Sequence, residues 1–209
     1  MKLQFALDLP STPAALSLLT KVAPYADIIE LGTPLIKIEG LSVISAVKAA
    51  HPDHEIFADL KTMDAGKLEA QVAFDAGADY VAVLALANDA TISGAVEAGK
   101  EAGKKVVADL IGVPADQRLE RIEQLSKLGV AHVEVHAGLD EQAQPGYSIE
   151  TLLDTVKGSS LPFAVAGGVK SDSIGTVKDA GAAIAVVGGG VYNADDPEAA
   201  AKSLREAIS

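Results

Sequence analysis

Groups able to move protons or carry charge recur at one kind of place in this chain, the C-terminal end of a short apolar run rich in β-branched residues. Asp8 lies in the run Leu3 to Leu9, Glu30 in Asp27 to Gly32, Asp59 and Lys61 in Ile56 to Lys61, Asp109 in Val106 to Ile111, and His136 in Val133 to Ala137. Charges placed at random would rarely fall so regularly near strand ends. Side chains on a strand alternate faces, so Asp59 and Lys61 share one face while Leu60 points the other way. Asp64 follows three residues after Lys61, ahead of a helix that starts near Ala65. An ammonium flanked by Asp59 and Asp64 stays protonated, because nearby negative charge favours the cation. Lys61 is therefore suited to steadying an anion rather than to forming a Schiff base. A histidine at a strand end, with an intrinsic pKa of roughly 6.5, suits general acid/base work at neutral pH, and this is the reading given to His136. The plainer alternative for the charged set is an ion-pair network that only ties strand ends together.

The elements that must position these groups repeat along the chain. Besides the five runs above, Tyr80 to Leu86, Phe163 to Gly168 and Ala183 to Gly190 read as strands, giving eight in all. Between them lie helically periodic stretches: Lys67 to Asp75, Ile92 to Ala102, Arg118 to Lys127, Ile149 to Val156 and Pro197 to Ala207. Gly77, Gly103, Gly129 and Gly181 follow helical stretches, where glycine relieves the left-handed backbone that ends a helix. Ser11 or Thr12 before Pro13, Asn88 or Asp89, and Asp196 before Pro197 mark helix starts. Strand then helix, eight times with short connections, predicts a single (β/α)8 barrel domain over residues 1–209, since parallel strands need crossovers and closure removes both sheet edges. An open doubly wound sheet is the alternative. In such barrels the strand C-terminal ends and their loops build the active site.

Composition narrows the function classes. A chain of 209 residues stands near the lower limit of about 200 for this fold. It is 49% hydrophobic and only 4% aromatic, as expected of a buried parallel sheet covered by helices. Its net charge of -12 argues against nucleic acid, which is bound by Lys and Arg set against phosphates. There is no cysteine, which excludes disulfides, thiolate catalysis and cysteine zinc sites and fits a reducing cytoplasm. The N-terminus reaches Asp8 too soon for a signal sequence, and no apolar run approaches the roughly 18 residues of a membrane span. An anionic ligand must be met locally, by a metal, lysines or backbone amides. Gly167, Gly168 and the cluster Gly188, Gly189 and Gly190 stand after the seventh and eighth strands, where barrels often collect amides around a phosphate; glycine pairs also serve plain turns.

The run Asp59-Leu60-Lys61-Thr62-Met63-Asp64 resembles the motif of the orotidine 5′-monophosphate decarboxylase suprafamily. The resemblance extends over essentially the whole chain, through Ile29 to Leu35, Ala65-Gly66 and both late glycine clusters. It implies that Glu30 and Asp59 ligate Mg2+ (or Mn2+), that Lys61 lies beside enediolate oxygens, and that Asp64 reaches across a homodimer interface into the neighbouring site. It further implies that His136 handles the proton at the reacting carbon and that Asp8 contacts a substrate hydroxyl. Two carboxylates suit Mg2+, which keeps part of its hydration and accepts substrate oxygens. Metal and ammonium together would stabilise charge developing beside a ketone.

Two departures point to one branch of that suprafamily. Leu139 stands three residues after His136 where the decarboxylating branch has an arginine, and Asp109 stands where it has a glutamate. The expected activity is an aldehyde-lyase reaction, the metal-dependent condensation of D-ribulose 5-phosphate with formaldehyde to D-arabino-3-hexulose 6-phosphate. Decarboxylation of 3-keto-L-gulonate 6-phosphate through the same enediolate is one alternative, and a non-catalytic phosphosugar-binding barrel is another. Gly190 stands where many members carry a phosphate-binding arginine. His51, His54 and His132 are assigned no role.

Overall fold

A computed structural model describes all 209 residues. Eight strands form one closed parallel barrel in sequence order: β1 (Lys2–Leu7), β2 (Ile28–Leu31), β3 (Glu55–Thr62), β4 (Tyr80–Leu84), β5 (Lys105–Asp109), β6 (His132–His136), β7 (Phe163–Ala166) and β8 (Ile184–Val187). The helices are α1 (Thr12–Val22), α2 (Thr33–Glu39), α3 (Ser42–Ala50), α4 (Gly66–Asp75), α5 (Asp89–Ala102), α6 (Arg118–Leu128), α7 (Leu139–Gln142), α8 (Ile149–Asp154), α9 (Ile174–Asp179), α10 (Gly189–Tyr192) and α11 (Pro197–Ile208). No helix is long and apolar enough to cross a membrane.

Strand alternation sorts the core into two parts. Outward-facing residues such as Leu3, Phe5, Ile29, Ile56 and Val133 join the helices in a cluster of 53 buried side chains. Inward-facing residues, among them Ile28, Phe57, Tyr80, Val107 and Val186, form a separate cluster of 9 inside the barrel. The interior is a packed core that ends, toward the strand C-termini, in polar side chains.

Helix punctuation follows the expected chemistry. The Ser11 hydroxyl accepts from the Ala14 amide, and Asp196 accepts from the amides of Glu198 and Ala199. Gly77, Gly103, Gly129 and Gly181 all adopt positive φ. Strand ends are less well foreseen. All the runs but the third stop short of their expected ends, the first, fourth and eighth at Leu7, Leu84 and Val187 rather than Leu9, Leu86 and Gly190, and Gly189 instead opens α10. Asp8 thus lies one residue past its strand.

The third strand carries an irregularity that alternation alone does not reveal. Its pairing with β4 shifts register between Ala58 and Thr62, and Lys61 within that bulge has φ +48. A non-glycine residue in that region is strained, and such strain concentrates at functional sites. Ala65, just before α4, has φ +52 as well. The left-handed pair brackets Asp64 and turns the chain sharply from strand to helix.

Candidate active site

The centre of the site is Asp109 at the end of β5. One of its oxygens, Oδ2, accepts from Lys61 Nζ at 2.7 Å and lies 2.9 Å from His136 Nδ1. The other, Oδ1, accepts from the Ile111 amide at 2.8 Å. Burial alone would raise the Asp109 pKa. The hydrogen bond from His136 and the charge of Lys61 outweigh it and hold the carboxyl at about 2. Lys61 also reaches both oxygens of Asp59, at 3.0 and 3.1 Å. Burial works against its charge too, yet Asp109 and Asp59 keep the ammonium well above the usual lysine range. Three strands therefore hold one base, one ammonium and one carboxylate in a fixed line.

Beside that line stands a second carboxylate pair. Glu30 at β2 is buried and accepts from Gln4 Nε2 at 2.8 Å. Asp59 at β3 is buried and accepts from the Thr33 hydroxyl at 2.7 Å. Burial first, and then repulsion from Asp59, pushes Glu30 up to about 8. Glu134 on β6, buried between Glu30 and Asp109, is pushed well above the ordinary range, again by burial first. Four buried carboxyl groups thus surround one ammonium, and a divalent cation would offset the excess. The oxygen donors of Glu30 and Asp59 match what Mg2+ prefers. Asp109, Glu134 and His136 also bring ligand atoms within 4.8 Å of one another, and Lys61 bonds to Asp109 as it does to Asp59.

Of the other sequence-assigned residues, Asp8 reaches the same mouth: burial first, and then Asp59, raises its pKa, while Lys61 and His136 oppose the rise. Its carboxylate sits where a side chain on Gly32 would stand, so a larger residue there would push Asp8 aside. Gly167 and Gly168 have φ +113 and +71, and a Cβ on Gly167 would lie 2.5 Å from the Ala137 carbonyl. Tyr147 clamps that loop by donating to Gly167 O at 2.6 Å. A Cβ on Gly190 would lie 3.1 Å from the Val169 carbonyl, so the two glycine loops approach each other closely. Asp64 does not join the cluster. It is exposed and accepts from the amide of Ala65. Leu139 is 74% exposed.

Sequence reasoning missed Glu134, Gln4 and Thr33. Glu134 Oε1 lies 3.4 Å from His136 Nδ1, while its Oε2 and Gln4 Oε1 have no hydrogen-bond partner. The signal for Glu134 was present: in His132-Val133-Glu134-Val135-His136 polar and apolar residues alternate, so whatever places His136 inward places Glu134 and His132 inward as well. His132, assigned no role from sequence, is buried beside Tyr80 in the barrel interior. Thr33, at the start of α2, carried no such signal, because only the close approach of that loop to β3 brings it to Asp59.

Comparison with known proteins shows the family. The sequence model of the orotidine 5'-phosphate decarboxylase / HUMPS family matches residues 1–204. The chain is 58% identical over 209 residues to the 3-hexulose-6-phosphate synthase of Mycobacterium gastri, covering 100% of both. It is 44% identical over 203 residues to that of Methylomonas aminofaciens, covering 96% of each. A crystal structure of 3-hexulose-6-phosphate synthase superposes with TM-score 0.97 at 59% identity, with 100% of both chains covered. The chain belongs to the orotidine 5'-phosphate decarboxylase / HUMPS family of enzymes.

Proposed function

We propose that this chain catalyses the activity named for its Mycobacterium gastri relative, the aldol condensation of D-ribulose 5-phosphate with formaldehyde to D-arabino-3-hexulose 6-phosphate. The observation that carries this reading is the Asp109 oxygen shared by Lys61 and His136, which couples a base to an ammonium at the barrel mouth. His136 removes a proton from C1 of the pentulose phosphate. The C1–H electron pair becomes the C1–C2 double bond of a 1,2-enediolate as the C2 carbonyl π pair moves onto its oxygen. The C1–C2 π pair then attacks the formaldehyde carbon as the C2 ketone re-forms, and the formaldehyde oxygen takes the proton from His136 to become the new hydroxyl. Asp109 orients His136 and steadies the imidazolium once the proton is taken. Lys61 faces the developing negative charge and forms no covalent bond, since its pKa lies above the usual range.

Glu30 and Asp59 are the residues that would hold Mg2+. When bound, the ion supplies Lewis-acid stabilisation of the charge on the enediolate oxygens. Asp8 contacts a substrate hydroxyl, and the amides around Gly167, Gly168, Gly189 and Gly190 receive the phosphate. Lys170 brings a cationic stem to that loop, its Cγ standing 3.6 Å from where a Cβ on Gly190 would be. The exposed apolar side chains Met63, Leu68 and Val72 flank Asp64 and support a homodimer in which Asp64 serves the neighbouring site. Absence of cysteine supports a cytoplasmic setting. The deciding experiment is formaldehyde-dependent loss of ribulose 5-phosphate, assayed with and without EDTA. Loss that EDTA suppresses is expected; release of carbon dioxide from 3-keto-L-gulonate 6-phosphate without formaldehyde consumption would replace the reading with a decarboxylase.

A further inference from the structure

The opposite mouth of the barrel, at the strand N-terminal ends, is built unlike a plain floor. Lys2 of β1, Tyr80 of β4, Lys105 of β5 and His132 of β6 line a cavity of about 320 Å³ there, together with Pro162 and Ile184. Lys2 pairs with Glu55 of β3. Tyr80 donates to the other Glu55 oxygen at 2.9 Å, and Lys105 donates to the Tyr80 hydroxyl at 3.2 Å with its ammonium 5.1 Å above the ring. Glu55 therefore pairs with Lys2 and Tyr80, and Lys105 has no anionic partner of its own. The neighbouring Asp79 does not help, because Lys48 and Lys104 already hold it.

His132 completes the arrangement. It is buried beside Tyr80, with ring centroids 6.0 Å apart, and its Nε2 has no hydrogen-bond partner. Burial, followed by the charges of Lys105 and Lys2, lowers its pKa to about 4, with Glu55 the one group acting the other way. Both ammoniums thus make themselves felt at the imidazole. A positively charged pocket on a chain of net charge -12 is a local reversal of the overall field.

We propose that this cavity is a second ligand site, distinct from the rim of the strand C-terminal ends, which takes a phosphate group between Lys2 and Lys105 with His132 at its base. The group supplies the charge that Lys105 lacks and accepts from Lys105, Lys2 and an imidazole N–H. The cavity is larger than one phosphate, so free inorganic phosphate and the phosphate of a small monoester share the chemistry.

The test follows the imidazole resonances of His132 by NMR, assigned with His132→Gln, while sodium phosphate replaces chloride at constant ionic strength. A saturable shift by about 10 mM phosphate is expected, with the His132 titration midpoint rising by about one pH unit as an anion favours the cation. Lys105→Gln should abolish the shift and leave basal turnover unchanged, since Lys105 lies at the far end of the barrel from His136. Repeating the titration with glycerol 3-phosphate separates the sources: tighter saturation by the ester marks an organic phosphate as the ligand, and equal or weaker saturation marks the free ion. Absence of a saturable shift, or an undiminished shift in Lys105→Gln, would overturn the proposal, and neither result bears on the aldol activity at the rim.

Discussion

Lys61 and His136, on strands β3 and β6, meet at a single oxygen of Asp109, 2.7 Å from one and 2.9 Å from the other. The geometry makes Asp109 the group through which the imidazole and the ammonium sense each other. Asp109→Asn keeps the shape and removes the charge, so the imidazole loses its orienting acceptor and Lys61 keeps only Asp59. Loss of positioned acid/base catalysis typically costs 100- to 10,000-fold, and kcat for the condensation is expected to fall by roughly that factor with KM for ribulose 5-phosphate little changed. A variant that folds by circular dichroism and retains more than about a tenth of the wild-type kcat would show that Asp109 has no part in positioning His136.

Mg2+ should stabilise the fold whether or not turnover is assayed. A ligand that binds only the native state at a hundred times its Kd adds about 2.7 kcal/mol, or roughly 5 to 10 °C in Tm for a chain of this size. Glu30→Gln and Asp59→Asn are each expected to remove that Mg2+-dependent rise, and Glu30→Gln also to raise Tm without metal, because it replaces a buried carboxyl whose charge burial and Asp59 disfavour. An unchanged Mg2+ effect in both variants would move the metal elsewhere, with Asp109, Glu134 and His136 the remaining cluster.

How far the sequence disclosed this site can be seen residue by residue. Glu30, Asp59, Asp109 and His136 were legible because barrel strands bury apolar residues, so a polar residue near a strand end stands out. Glu134 is equally legible by alternation, but it lies two residues before the strand end, on the inward face that it shares with His136. The bulge at Lys61 was not legible. Alternation correctly places Asp59 and Lys61 together, but the register shift against β4 depends on how β3 and β4 pair, which no local pattern encodes. Thr33 belongs to the same class, since its bond to Asp59 arises from the fold of the loop after β2.

The junction of α4 and α5 offers a test in which two physical effects have opposite signs. Helix propensity favours alanine over glycine by up to about 1 kcal/mol, so Gly66→Ala at the start of α4 would be stabilising if propensity ruled. Packing says otherwise. A Cβ on Gly66 would lie 1.9 Å from the carbonyl oxygen of Thr91 in α5, a backbone atom that cannot swing aside. Overpacking of this kind costs about 3 kcal/mol, and a Tm lower by roughly 6 to 12 °C is expected. A variant as stable as the parent in a thermal melt would mean that the two helices separate easily.

Acid sensitivity should trace in part to His132. Its pKa is about 4 in the folded chain against an ordinary 6.5, so below 6.5 the unfolded chain binds a proton that the native barrel resists. Stability therefore rises with pH across that window, is fully present above about 6.5, and is lost as pH falls toward 4. The shift corresponds to about 3 kcal/mol. Asp109 acts only lower, because its carboxyl titrates near 2 and its contribution is lost below the ordinary carboxylate range. Urea denaturation at pH 7 and pH 4.5, in buffer without phosphate, separates the two. The drop in wild-type stability between these pH values should exceed the drop in His132→Leu by about 2 kcal/mol, since the leucine variant has no imidazole to protonate. Equal drops in the two proteins would mean that His132 is protonated in the folded barrel without penalty, and that the cationic mouth formed by Lys2 and Lys105 does not reach it.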